Sequence, residues 1–388
     1  MIRQALKFFL FPLLFSGLAA ADIQDAVGRA QISVEQVGAS LPGGSAEDQS
    51  RAAARLVDDS PRGGAPVVHP SGRSEAKAVS LAGPVFRAEM ETLSMPKAKP
   101  VAAQDGDLTP LFLSIHEQVR AGQAAPLSPG PRRVKYLFVY GLFGNHITDY
   151  MQGSVRRLRA LGLESDFIGI QTEGDRLSNF EKINNAVSTR EQVVLIGHSR
   201  GGVLIHDWYR SASNSSKEKV LKLVVIQAPL RGTPIADWAL EHWYTRAAVA
   251  LLGALPGWGD VSEAILELTT DTRRQVMAGL PPFSPADLEK VYAVYSSFEP
   301  GVNDSAHKDM LLAHGIIKGR TGEDSDGLVP VDSAQVPGAR RVFLSDFDHE
   351  DSALEDAGWF KGMRGSRPSA KMSVGDFSEA LVRILLQP

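Results

Sequence analysis

The sequence predicts an α/β domain, a mostly parallel sheet with helices on both faces and a helical insertion over one end. From residue 134 onward, runs rich in β-branched and aromatic residues alternate with helical patterns, the signature of strand–helix–strand units. Val193-Val194-Leu195-Ile196 is continuously apolar, as a strand covered on both faces must be. It runs into Gly197-His198-Ser199-Arg200-Gly201-Gly202, a glycine-rich turn into a helix. Such a turn belongs at the carboxyl end of a parallel strand, where ligands bind in sheets of this kind.

Residues 134–140 read as the first strand, and 150–161 as a helix with Val155, Leu158 and Leu161 apolar. A second strand is expected at 166–171 and a helix at 176–188. Residues 192–197 feed the glycine-rich turn, and 203–211 form the helix after it. Later strands are expected at 221–227, 291–296 and 342–344. The interval 235–280 interrupts this alternation. It reads as helical and unusually apolar, and holds Trp238, Trp243 and Trp258 of the chain's 5 tryptophans. It is either a lid that covers the site, binds acyl chains and touches a membrane surface, or the ordinary core of a helical insertion.

The N-terminal third differs. Arg3 and Lys7 precede the apolar run 8–18, and Ala19-Ala20-Ala21 follow. That is the layout of a signal peptide over residues 1–21. The run is shorter than the roughly 20 residues of a membrane span. Export to a periplasm or medium is expected, an uncleaved anchor being the alternative. No aromatic residue lies between Phe15 and Phe86, and Ala, Gly, Ser and Pro dominate. Residues 22–131 therefore read as a low-complexity, largely disordered leader ahead of a domain over 132–388. It is a pro-segment, a tether or simply a flexible leader. Helices are expected within it at 23–37 and 108–121. The second carries Leu111, Phe112, Ile115 and Val119 on a face fit to dock on the domain.

At 388 residues the chain is long enough for a sizeable core, and a net charge of −4 gives no reason to expect nucleic-acid binding. With Cys 0, disulfides and thiolate metal sites are excluded.

The turn at Ser199 has the G-x-S-x-G form of a nucleophile elbow. Side chains two residues before and after the serine would collide there, and Gly197 and Gly201 fill those places. Downstream, Asp326 and His349 fall in expected strand-end loops, in the order Ser, Asp, His.

With these motifs the chain resembles the bacterial triacylglycerol lipases and esterases of the α/β-hydrolase superfamily, over roughly residues 134–351. Tyr140-Gly141-Leu142-Phe143-Gly144 resembles their oxyanion loop, and Gly197 to Gly202 their elbow. Ala228-Pro229-Leu230-Arg231-Gly232-Thr233-Pro234 is similar to the loop after their next strand. Asp326-Gly327-Leu328-Val329-Pro330 is similar to their acid-residue loop. The resemblance implies a Ser199–His349–Asp326 triad, with oxyanion donors at the backbone N–H groups of Leu142 and Arg200. It implies an exported hydrolase of lipid or other acyl esters that works through an acyl-enzyme. The alternatives are another acyl-transfer enzyme (phospholipase, thioesterase or acyltransferase) or a non-catalytic binding protein on the same fold. Tyr140 stands where many of these lipases have His, and Arg200 where Gln or Met is common. The Arg200 side chain reads as solvated or structural.

Asp324, Asp346 and Asp348 compete for the acid role, and Asp326 is preferred on its match to the family's loop. Of 9 histidines, His198 reads as packed beside the elbow and His146 as structural. His307 and His314 have neither the spacing nor the neighbours of a metal pair. The chemistry requires no cofactor. Some lipases of this branch hold a structural calcium just past the triad histidine. Asp351 occupies that place, with Glu355 and Asp304 or Asp309 as candidate partners. The plainer reading is a surface acidic cluster.

Overall fold

The computed structural model describes residues 106–127, 134–147, 149–242, 261–301, 307, 310–354 and 372–387. All of these fall in one compact unit. The signal-peptide, calcium-partner and tryptophan expectations at 1–37, Asp304, Asp309, Glu355 and 243–260 lie outside the described residues.

Six strands form one sheet: β1 (Lys135–Val139), β2 (Glu164–Phe167), β3 (Val193–His198), β4 (Val220–Ile226), β5 (Val291–Ser297) and β6 (Arg340–Ser345). Their order is β2-β1-β3-β4-β5-β6, and every neighbouring pair is parallel. The described helices are α1 (Thr109–Arg120), α2 (Gln152–Ala160), α3 (Arg176–Ser188), α4 (Arg200–Ser211), α5 (Asn214–Lys219), α6 (Pro234–Glu241), α7 (Val261–Leu266), α8 (Thr270–Gly279), α9 (Pro285–Leu288), α10 (Leu311–Thr321) and α11 (Val374–Leu385).

Successive residues of a strand point to opposite faces, and here both faces are covered. Leu137, Val139, Leu195 and Val225 enter one core with Ile183 and Val187 of α3 and Val203 and Leu204 of α4. Tyr136, Phe138, Ile196 and Val224 enter the other with Val155 and Leu158 of α2, Phe377 and Leu381 of α11, and Phe112 of α1. This double cover explains why β3 is buried along its whole length and shows no polar alternation. Strand order reverses between β1 and β3. The loops leaving those two strands diverge and open a crevice at their carboxyl ends.

The second strand is β2, Glu164–Phe167, two residues earlier than the expected 166–171. Its register on β1 ends at Phe138↔Phe167, and the chain then turns, with Ile170 N–H donating to the Ile168 carbonyl at 2.7 Å. Ile168 and Ile170 are buried in a loop over the end of the sheet. Their apolar alternation reflects that burial rather than a ladder.

Residues 106–127, assigned from composition to the leader, are part of the domain. Leu108 N–H donates to the Arg341 carbonyl at 2.8 Å and Arg341 N–H to the Gly106 carbonyl at 2.9 Å. This short parallel bridge covers part of the outer edge of β6, which would otherwise offer unpaired backbone groups. Helix α1 then buries Phe112, Ile115 and Val119. Local composition hid this because the partners of α1 lie more than 200 residues away. Phe112→Ala is expected to lower stability by about 3–5 kcal/mol, read as a lower urea midpoint at an unchanged slope. A change below about 1 kcal/mol would place α1 outside the folding unit.

The flanks of the 235–280 interval are core. Ile235, Ala236 and Ala239 of α6 and Val261 and Ile265 of α7 are buried, which favours the helical-insertion reading for these flanks. Trp238 is half-buried.

Candidate active site

Ser199 sits between the last residue of β3 and the first of α4, with φ 54° and ψ −127°. Non-glycine residues rarely adopt this geometry, and such strain costs about 1–3 kcal/mol. The surroundings hold it in place. Ser199 N–H donates to the Ile226 carbonyl at 2.9 Å, and its own carbonyl accepts from Gly202 N–H at 3.0 Å. Close approach dictates the glycines. A Cβ on Gly197 would lie 2.5 Å from the Gly201 carbonyl oxygen, and one on Gly201 would overlap the carbonyls of Val139 and Tyr140. Ser199 itself is half-buried and so remains accessible.

Asp326 and His349 come together across 23 residues of chain. His349 Nδ1 lies 2.8 Å from Asp326 Oδ2, and His349 N–H donates to the Asp326 carbonyl at 2.8 Å. The other carboxylate oxygen, Oδ1, accepts from Leu328 N–H at 2.9 Å and Val329 N–H at 2.7 Å. This is the physical use of the Asp-Gly-Leu-Val stretch, whose turn aims two amides at the acid. Burial alone would lower the His349 pKa. The charge of Asp326 and its hydrogen bond outweigh burial, and the pKa is raised above the ordinary histidine value. With Nδ1 engaged, Nε2 is the nitrogen left to meet a serine hydroxyl. His198, the residue before Ser199, has its ring 4.7 Å from that of His349. Among the described residues the serine hydroxyl makes no hydrogen bond to His349, and in unliganded sites such contacts are often long.

The competing carboxylates are occupied elsewhere. Asp324 pairs with Lys318 at 2.8 Å. Asp346 and Asp348 both bind His307.

The loop after β1 approaches the serine closely, and a Cβ on Gly141 would lie 2.9 Å from that of Ser199. Among the described residues the backbone amides of Leu142 and Arg200 have no carbonyl partner. They are thus available to an oxyanion. The Arg200 side chain is structural and not solvated, being 1% exposed. It donates to the carbonyls of Thr172 and Gly174, each at 2.7 Å, and from Nε to Glu267 at 2.9 Å. Tyr140, at the usual histidine position, stacks on Phe167 with ring centroids 4.3 Å apart. His146 is paired with the buried Glu173 at 3.3 Å. His314 lies against Ser325, 3.0 Å from its hydroxyl.

Sequence reasoning missed His307. It gathers Asp348 on Nδ1 and Asp346 on Nε2, both at 2.9 Å, 41 and 39 residues away in the chain. Spacing could not reveal this, because the neighbours arrive by folding. His307, Asp348 and Asp351 are close enough to suggest a metal. Calcium takes about 6–8 oxygen ligands. This trio offers an imidazole with both nitrogens engaged, and Asp351 accepts from Asp348 N–H at 2.8 Å. Among the described residues His307 with Asp346 and Asp348 forms an ion-pair clamp on the loop that carries His349; the candidate calcium partners Asp304, Asp309 and Glu355 lie outside the described residues.

Burial lowers the His307 pKa, but the two carboxylate hydrogen bonds outweigh it and raise it. The stabilisation is therefore complete below the unfolded pKa of about 6.5 and is lost as pH rises through the folded one. His307→Gln is expected to lower the melting temperature at pH 6, with the gap to wild type narrowing toward pH 9. A gap that widened with pH would refute the clamp.

No protein-family model matches the chain, and no curated protein is similar to it in sequence. Its architecture is similar to that of a metagenomic carboxyl esterase, MGS0156, at 15% identity and a TM-score of 0.56, over 77% of this chain and 98% of the esterase. A lipase of Bacillus licheniformis, BlEst2 in its mature form, matches at 19% identity and a TM-score of 0.42, over 58% of this chain and 88% of the lipase. The chain has the α/β-hydrolase fold.

Proposed function

We propose that this α/β-hydrolase-fold chain is a serine hydrolase that cleaves carboxylic esters, lipid esters among them. The observation that carries the reading is the buried 2.8 Å contact between His349 Nδ1 and Asp326, beside a serine held in a strained elbow.

Ser199 Oγ attacks the ester carbonyl while His349 Nε2 takes its proton. Asp326 holds the imidazole in the tautomer with Nε2 free and stabilises the imidazolium. The N–H groups of Leu142 and Arg200 bind the oxyanion. Collapse of the tetrahedral intermediate expels the alcohol, which receives the proton from His349, and leaves an acyl-Ser199. Water, activated by the same histidine, then releases the acid. Nothing in this sequence of steps draws on a metal or an organic cofactor. The segment at residues 1–21 suits an exported enzyme.

The test is covalent. A fluorophosphonate probe is expected to modify the purified protein once, at Ser199 by peptide mass spectrometry, and to abolish hydrolysis of p-nitrophenyl butyrate. A butyrate-to-palmitate series then separates an esterase from a lipase. Modification elsewhere, or ester turnover that survives stoichiometric labelling, would reject the assignment.

A further inference from the structure

The assignment of Ser199 and His349 leaves a buried polar chain behind them without a role. Tyr150 and His198 are 6% and 1% exposed, and the Tyr150 hydroxyl lies 2.5 Å from His198 Nδ1. His198 Nε2 lies 3.0 Å from the His349 carbonyl oxygen. A carbonyl only accepts, so Nε2 carries the proton and Nδ1 is an acceptor. Tyr150 therefore donates to His198, and His198 donates to His349. Burial holds the His198 pKa well below its ordinary value, with the nearby His349 adding to the shift. Burial pushes the Tyr150 hydroxyl up. Both side chains are neutral at pH 7, as this direction of donation requires.

The chain ends at the loops that matter. At one end Gly141 packs against the Tyr150 oxygen, with which a Cβ on Gly141 would collide. Gly141 directly precedes Leu142, an oxyanion donor in the proposed mechanism. At the other end the accepted carbonyl belongs to His349 itself. Gln227 braces the same loop, donating from Nε2 to the Asp348 carbonyl at 2.8 Å and to Ser296 Oγ at 2.7 Å.

We infer that Tyr150 and His198 are positioning residues, and that the hydrogen-bonded chain from Tyr150 through His198 to the His349 carbonyl, with Gly141 packed against the Tyr150 oxygen, holds oxyanion loop and general base in register around Ser199. The inference rests on the serine-hydrolase reading. It goes beyond that reading in assigning roles to two residues that touch no reacting atom. Misplacing a reacting or stabilising group by about 1 Å can cost on the order of 100-fold in rate, so a buried tether of this kind has leverage on kcat.

The test compares two single-hydroxyl deletions in the full chain. Tyr150→Phe keeps the ring and removes the tether. Tyr209→Phe is the control, since Tyr209 donates to Asp287 at 2.7 Å from helix α4 and has no link to the site. Tyr150→Phe is expected to lower kcat by about 10- to 100-fold, with KM within about two-fold of wild type and a loss of melting temperature no larger than the control's. His198→Asn should lower kcat too. The double variant should be no slower than the slower single, because both act through one chain. Wild-type kcat in Tyr150→Phe, or equal kcat losses in the two tyrosine variants, would overturn the inference while Ser199 labelling stood. A wild-type protein that failed to label at Ser199 would instead remove the premise, and the inference would fall with it.

Discussion

Under the serine-hydrolase proposal, Ser199→Ala is expected to lower kcat for ester hydrolysis by about 10⁶-fold, and Asp326→Asn to lower it by about 10⁴-fold. The first removes the atom that would form the proposed acyl-enzyme. The second keeps the shape of the acid and removes its charge, so that His349 Nδ1, 2.8 Å away, is no longer held in the working tautomer. A pH profile separates the two effects. Only a neutral imidazole can accept the serine proton, so kcat/KM is expected to rise with pH through the raised His349 pKa and to level above it. In Asp326→Asn the attraction of the carboxylate for the imidazolium is gone, and the residual activity should titrate at lower pH. An Asp326→Asn enzyme within ten-fold of wild type, with its acid limb unmoved, would mean that another carboxylate serves His349.

A large loss of stability is expected at Arg273→Ala. Arg273 in α8 and Asp207 in α4 are both 0% exposed. The guanidinium meets the carboxylate twice, at 2.6 and 2.9 Å, and donates from Nε to the Leu230 carbonyl at 3.0 Å. His206 Nδ1 adds a contact to Asp207 at 2.8 Å. Replacing such a pair by apolar residues is often neutral, but deleting one partner leaves a buried charge and costs about 3–5 kcal/mol. At about 2–4 °C per kcal/mol for a domain of this size, the melting temperature should fall by roughly 6–20 °C. Arg273→Met combined with Asp207→Leu should cost less than either single change.

Burial raises the Asp207 pKa, yet hydrogen bonds from His206 and Arg273 and the arginine charge together hold it well below the ordinary carboxylate range. Its stabilisation is thus present above the unfolded value near 3.9 and is lost as pH falls through the folded one. The gap between wild type and Arg273→Ala should stay constant from pH 5 to 7 and close only in acid. A drop under 1 kcal/mol would show that the pair is not the junction between α4 and α8 that its burial implies.

The parts legible in the sequence are those whose physics is local. A buried strand, a glycine two residues either side of a serine, and a helix after it fit within residues 193–211, so the elbow could be read directly. The turn at Asp326 was similarly visible as Asp-Gly-Leu-Val-Pro, because the amides that bind the carboxylate belong to the next residues along. Helix α1 is legible as an amphipathic pattern, but composition groups it with the leader, because the surface it covers is built from α11 and β6. Residues 168–171 read as strand in the sequence because burial in a loop and burial in a ladder leave the same apolar alternation.

The sequence by itself therefore determined the layered architecture, the strained serine and the acid turn, all set by backbone sterics and hydrophobic periodicity over short spans. Only the tertiary structure decided which of four aspartates meets His349, that His307 clamps the loop beside it, that Arg200 is buried, and that Tyr150 and His198 connect the loops around Ser199. Hydrogen bonds and ion pairs reach only about 3 Å. Which groups come that close across 20 to 200 residues is fixed by strand register and helix packing, quantities that no local pattern in the chain encodes.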